Sequence, residues 1–369
     1  MCGFLSRSSV TNRSAPPGRV RRECALDALR VAACLSVVAY HYAFHGQHGG
    51  FVAFAWPAID GAARYGFLGV QVFFLISGWL VLRTAQGRTL REFAIARAVR
   101  IVPTFWVACL ATTGFLVLLD FRPPSLGGFL ANFTLLPLTI RSLLATEHKF
   151  AFVDSAYWTL GYELRFYALV ALLVGLRRLG RIEAVLWGWL ALVAASRMEW
   201  LPRWLELVCM LNYATYFIAG AFFARIRSEG ISWPRAVAVL ACFSLAVPGL
   251  SELAQSHREA TGAVFLPQVL IGTVAVAFGL FAWLSLRREE GRALRLDSAW
   301  TYPTYLFHQY VGFALLQRVS PELPPGLVFG MVLVLAVGTG MAWSRWGEPR
   351  LNALMRRGLE RLWRPSGRI

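Results

Sequence analysis

LDALRVAACLSVVAYHYAF, running from Leu26 to Phe44, decides how the rest of this chain is read. As a helix it is about 28 Å long, enough to cross the hydrocarbon core of a bilayer. It carries Arg30 and His41, eleven residues apart. At about 100° per residue, eleven steps return to within about 20° of the start, so the two side chains share one stripe roughly 16 Å apart. An arginine at mid-membrane costs roughly 2.5–3.5 kcal/mol on the insertion scale, and ionisable groups placed there mark functional sites by default. The segment therefore points to an intramembrane site on a spanning helix.

The flanking sequence has the same character. Of 369 residues, 57% are hydrophobic and only 15% charged, too apolar for a soluble domain of this length. The net charge of +17 is dispersed in short clusters between apolar runs, the pattern of membrane topology, so no nucleic acid partner is expected. Six cysteines lie in or beside apolar runs without paired spacing and read as small buried hydrophobes. The first 25 residues are polar and basic and no small-residue cleavage site precedes FHGQHGG, which implies an uncleaved anchor with a cytoplasmic amino terminus.

Apolar runs suited to spanning helices fall near 26–45, 66–83, 101–119, 156–176, 183–196, 207–224, 235–250, 264–286, 299–316 and 326–344. The expected fold is all-α, a polytopic membrane protein of about ten transmembrane helices. Ten spans put both termini on one side. The connections on that side hold 27 basic residues against 8 on the other, which makes the side of the termini cytoplasmic. The organisation expected is a basic cytoplasmic tail over 1–25, a transmembrane domain over 26–346 and a second basic cytoplasmic tail over 347–369. The outer loop at about 120–155 contains LGGFLANFTLLPLTI, which Gly127, Gly128 and Pro137 interrupt, so it reads as a re-entrant or interfacial segment.

Four groups of residues have the chemistry for a site. His41 lies near the outer end of the first span, and Glu163, about seven residues into an inward-running fourth span, is expected at a similar depth. A neutral histidine oriented by a carboxylate is the arrangement of a general base, while a histidine satisfied by a backbone carbonyl is the plain alternative. His45 shares the face of His41, but sequence supplies no third ligand, and no metal is expected. Arg97 and Arg100, with Arg88 and Arg91 upstream, form a cytoplasmic cluster suited to phosphate, in a place where positive-inside topology alone would also put arginines. In AWTYPTYLFHQYVG, Tyr305 and His308 are three apart and Pro303 is expected to loosen the helix, which suits either a cavity wall for substrate or a histidine satisfied as part of the structure.

Taken in order, these segments resemble the acyltransferase-3 family of bacterial membrane O-acyltransferases. LDALRVAACLSVVAYH is similar to the family's opening motif of a basic residue, ten positions and a histidine, and GFLGVQVFFLISGWL (66–80) to its second span. FAIARAVRIVP (93–103) resembles its Arg-x-x-Arg motif, YWTLGYELRFY (157–167) its tryptophan-to-glutamate segment, and TYPTYLFH (301–308) its late tyrosine-rich segment. Gln71 stands where the family often has an acid, and Leu164-Arg165 follow Glu163 where a second acid or amide is frequent.

The resemblance implies transfer of an acyl group, commonly acetyl from acyl-CoA, to a hydroxyl of a sugar or a cell-envelope or secreted glycan, in the bacterial inner membrane. No permanently bound cofactor is implied, and the partners are acyl-CoA, a carbohydrate or glycolipid acceptor and the bilayer. Arg97 and Arg100 would hold the phosphates of acyl-CoA and Arg30 would lie beside its pantetheine arm. His41 would act with Glu163 as catalytic residue, as general base or as transient acyl carrier, and both chemistries are open at this level. A polytopic transporter or flippase is the other class that ten spans with intramembrane charges would suit.

Overall fold

The computed structural model describes residues 24–53, 56–135, 152–287, 297–319 and 323–363. Every regular element among them is helical. The long helices are α1 (Cys24–Tyr40), α2 (Gly69–Ala85), α3 (Leu90–Leu118), α4 (Trp158–Gly175), α5 (Ile182–Arg197), α6 (Leu211–Glu229), α7 (Trp233–Thr261) and α8 (Pro267–Leu286). A broken pair, α9 (Thr301–Phe307) and α10 (Gln309–Val319), then precedes α11 (Pro325–Ala342) and α12 (Glu348–Leu362).

Eight helical stretches among the described residues are long and apolar enough to cross a membrane. The fourth and ninth of the ten expected spans are helical too, but α4 carries Glu163 and Arg165, and α9 and α10 are parted at His308. The protein is therefore an all-α, multi-pass membrane protein.

The core is built on α2 and α6, which pack at backbone contact. A Cβ on Gly78 would lie 2.2 Å from Phe217 O, and one on Gly220 would lie 2.1 Å from Leu75 O, so only glycine permits the approach. Phe74 and Phe217 stack beside the contact at 4.7 Å and fill the space around it. Helices α1 and α4 lean on this pair, and α9 closes the ring against α1 and α3.

Three departures from the sequence reading position the site. α3 starts eleven residues before its expected span, because Thr89 and Glu92 form a reciprocal capping box, with Thr89 N donating to Glu92 Oε2 at 2.9 Å. Arg91, Arg97 and Arg100 therefore ride on a rigid helical extension. α7 likewise runs on to Thr261, past the expected end at 250, and carries His257 back over the bundle.

The third departure concerns Pro303. It lies in the first turn of α9, where its missing N–H has no helical partner to lose, and the break falls at His308 instead. There Asp154 Oδ2 accepts from Tyr310 N at 2.8 Å in place of a helical carbonyl, and His308 O accepts from both Gly312 N at 2.9 Å and Tyr42 OH at 2.7 Å.

Within the loop expected on the outer side, Leu126–Phe133 forms a helix of about 12 Å, too short to span, and Trp106 Nε1 donates to Phe133 O at 2.9 Å. Pro137 and the rest of that segment lie outside the described residues, as do residues 1–23 and 364–369 of the expected tails. Most of the carboxyl-terminal tail is the helix α12, which packs along α3, with Arg91 Nη2 donating to Glu360 O at 2.8 Å.

Candidate active site

α1 remains a regular α-helix through Tyr40, so the Arg30-to-His41 spacing holds as read, and then widens into a π-helical turn over His41–His45. Such turns break the backbone ladder locally and recur at functional sites. His41 Nδ1 lies 2.9 Å from Val37 O and 3.0 Å from His308 Nε2, and His308 Nδ1 lies 2.7 Å from Tyr305 O.

These contacts assign the tautomers. A carbonyl only accepts, so His308 Nδ1 carries its proton and the Nε2 of the neutral ring is an acceptor. His41 Nδ1 then faces two acceptors and must be the donor to both. His41 Nε2 is left with its lone pair and no partner in the described protein, in a ring that lines a cavity of about 230 Å³. His308 and Val37 O thus hold the His41 imidazole with Nε2 as a proton acceptor, Tyr305 O fixing His308 in turn, and His308 stands against His41 where sequence reading put Glu163.

Glu163 lies elsewhere. Ser77 Oγ donates to its Oε1 at 2.9 Å, the Tyr167 hydroxyl donates to the same oxygen, and the carboxylate lines the cavities that hold Arg30 and Arg100. The depth expected from counting residues fails because the level of His41 is met by the start of α4, at Ser155, Ala156 and Trp158. Glu163 is five residues further on, about 7.5 Å deeper.

The arginines come together as read. Arg30, Arg97 and Arg100 line a cavity of about 410 Å³ at the other end of the bundle. Arg97 sits over the Tyr167 ring at 5.3 Å and has a buried Nε without a partner, while Arg100 sits over Tyr302 at 5.0 Å and pairs with Glu348 at 3.2 Å. Arg30 is 3.7 Å from Asp27.

A smaller space of about 100 Å³ lies between the two ends. It shares Arg30, Ser77, Arg100 and Glu163 with the arginine cavity, and Val70 and Tyr305 with the histidine cavity. Tyr305 is the partition between them: its hydroxyl donates to Ala156 O at 3.0 Å and lies 3.0 Å from Thr159 Oγ1. The three spaces form one row from the guanidinium cluster to His41 Nε2.

Sequence reading singled out no role for Gln309, Trp158 or His257, which also line the histidine cavity. For Gln309 a signal existed, a polar residue directly beside His308 in an apolar span. For His257 none did, since only the length of α7 brings it there. The His41 and His45 rings lie 5.8 Å apart, and among the described residues no group of three or more His, Cys, Asp or Glu is placed to hold a metal ion.

The multi-pass helical bundle thus holds an anchored imidazole at one end of a row of cavities and guanidinium groups at the other. Residues 25–343 match the acyltransferase domain that defines the acyltransferase-3 family, and the chain belongs to that family. It is an O-acetyltransferase-like acyltransferase. Over 284 residues, 72% of this chain and 80% of the relative, it is 29% identical to the exopolysaccharide production protein ExoZ of Rhizobium meliloti (strain 1021). Over 102 residues it is 32% identical to the putative peptidoglycan O-acetyltransferase YrhL of Bacillus subtilis (strain 168), a match covering 26% of this chain and 14% of that protein. No solved structure matches the chain.

Proposed function

We propose that this protein transfers an acyl group, acetyl in the simplest case, from cytoplasmic acyl-CoA to a hydroxyl of an envelope or secreted glycan, working in the inner membrane of a bacterium. The observation that carries the reading is the row of cavities linking Arg97 and Arg100 to His41 Nε2. The donor's phosphates sit on Arg97 and Arg100, where guanidinium forks match phosphate oxygens and a polyanion can take the place of Glu348 on Arg100. Its pantetheine arm runs past Arg30 towards Tyr305, along the roughly 16 Å that separates the two motif residues of α1.

At the far end His41 Nε2 removes the proton of the acceptor hydroxyl as its oxygen attacks the thioester carbonyl. Collapse of the tetrahedral adduct expels the CoA thiolate, which takes the proton back from the imidazolium. The products are the O-acyl glycan and CoA thiol. His308, through His41 Nδ1, keeps the reactive nitrogen unprotonated and aimed. Glu163 belongs to the donor side, where it balances Arg30 and Arg100. A second route passes the acyl group through Nε2 itself, as a transient acyl-histidine that the acceptor hydroxyl then resolves; the free lone pair serves either route.

The test uses purified protein in lipid nanodiscs with radiolabelled acetyl-CoA. Label should pass to a glycan acceptor in wild type and not in His41→Ala. Acetyl label trapped on the wild-type protein and absent from His41→Ala selects the acyl-histidine route. Glycan movement across the membrane without consumption of acetyl-CoA would replace the reading with a transporter. In the parent organism, loss of O-acyl proton signals from the envelope or secreted polysaccharide of a deletion strain identifies the acceptor.

A further inference from the structure

Gln71 and Gln309 are 3% and 2% exposed, and the Oε1 of each is buried without a hydrogen-bond donor. Both side chains line the cavity that holds His41, and so does His45, whose buried Nδ1 is also unpartnered. A buried polar atom left unpaired carries its full desolvation penalty, so two amide oxygens and an imidazole nitrogen around one space need an explanation. The same wall presents the Trp158 and Tyr213 rings, 5.3 Å apart, and at about 230 Å³ the space far exceeds the roughly 10–15 Å³ that one water requires.

These atoms select the chemistry of an occupant. An alkyl chain would leave both amide oxygens unpaired. A phosphate or carboxylate would set acceptors against acceptors. A ring that carries several hydroxyl donors around its edge and C–H bonds on its faces matches both the amide oxygens and the aromatic wall.

We propose that this cavity is the acceptor subsite and takes one pyranose ring, an inference that rests on the transferase reading above. Gln71 Oε1 and Gln309 Oε1 each accept from a ring hydroxyl, Trp158 and Tyr213 lie against the C–H face, and the two amides decide which remaining hydroxyl meets His41 Nε2. Gln309 is itself held in place, since its Nε2 donates to Ser155 Oγ at 2.6 Å.

The experiment is isothermal titration of the protein in nanodiscs with the methyl glycosides of glucose, galactose, mannose and N-acetylglucosamine, with cyclohexanol as a ring bearing one hydroxyl. At least one glycoside should bind saturably, with cyclohexanol weaker by about tenfold or more. Gln71→Met and Gln309→Met should each weaken the glycoside by about tenfold or more, while Gln71→Glu, which keeps an acceptor oxygen, stays within about threefold of wild type. Acetyl-CoA affinity, unchanged in all three variants, checks that they are folded.

No binding by any glycoside, cyclohexanol binding as tightly, or wild-type glycoside affinity in both Met variants overturns the subsite. The transferase reading fails separately: glycoside binding that depends on Gln71 and Gln309, with no acetyl transfer from acetyl-CoA, removes the reaction and keeps the sugar site. Acetyl transfer to a glycoside that both Met variants perform with unchanged KM removes the sugar site and keeps the reaction.

Discussion

The two ends of the cavity row both draw on α1, α2 and α4, yet hold their polar groups in opposite ways. At the histidine end, His41, His308 and Tyr305 are tied to one another and to backbone carbonyls at 2.7 to 3.0 Å, bonds that no ligand needs to break. At the arginine end the groups are charged and held by ion pairs and ring faces, Arg100 on Glu348 and Tyr302, Arg97 on Tyr167, Arg30 near Asp27. Such contacts can be exchanged for phosphate. A site for chemistry gains from fixed geometry, whereas a site for binding and release gains from partners that can be replaced.

Disturbing the fixed end should therefore change the rate, and disturbing the exchangeable end should change affinity. The largest effect is expected for His41→Ala, with turnover falling by about 10²–10⁴-fold or more while acetyl-CoA binding, measured by titration, stays at the wild-type level. Near-normal turnover in that variant would erase the distinction between the ends. Next, His308→Ala should lower kcat by about tenfold to a hundredfold with little change in KM for acetyl-CoA, because His41 Nδ1 still has Val37 O but loses half of its orientation. A comparable loss in KM alone would make His308 a wall residue.

Arg97→Ala and Arg100→Ala should each weaken acetyl-CoA by about 10–100-fold, the loss of one charge-assisted contact, and leave saturated turnover almost untouched. Unchanged affinity in both would return these arginines to membrane topology alone. Glu163→Gln is expected to act least and separates the two ends most cleanly. The wild-type rate should rise with pH as the His41 imidazole loses its proton and then level off, since only the neutral ring can act as a base. Glu163→Gln should shift KM for acetyl-CoA by a few-fold, roughly, and leave that pH profile in place. A displaced profile would mean that Glu163 acts on His41 after all.

How much of this was legible beforehand varies residue by residue. Arg30 and His41 could be placed because both lie on one helix, where spacing converts to depth and direction without knowledge of any neighbour. Arg97 and Arg100 could be grouped for the same reason. Glu163 could not be matched to His41, because that requires the relative shift of two helices and the length of the turn at Ser155–Tyr157. Tyr305 and His308 stand out as polar residues in an apolar span, but sequence points to Pro303 for the break, and the cap of Tyr310 N by Asp154 puts it at His308.

By itself, then, the order of residues determined that the chain is a multi-pass helical membrane protein, that Arg30 and His41 share one face of α1, and which family it belongs to. All of these follow from composition, from period and from motifs local to one segment. Tertiary structure decided which groups meet: His308 rather than Glu163 on His41, Glu163 among the arginines, and Gln71 with Gln309 facing one cavity. The physical reason is that hydrogen-bond partnership needs atoms placed to within a few tenths of an ångström. Packing of separate helices supplies that precision, here through the glycine contact of α2 on α6 and the capped break at His308, and the spacing within one helix does not.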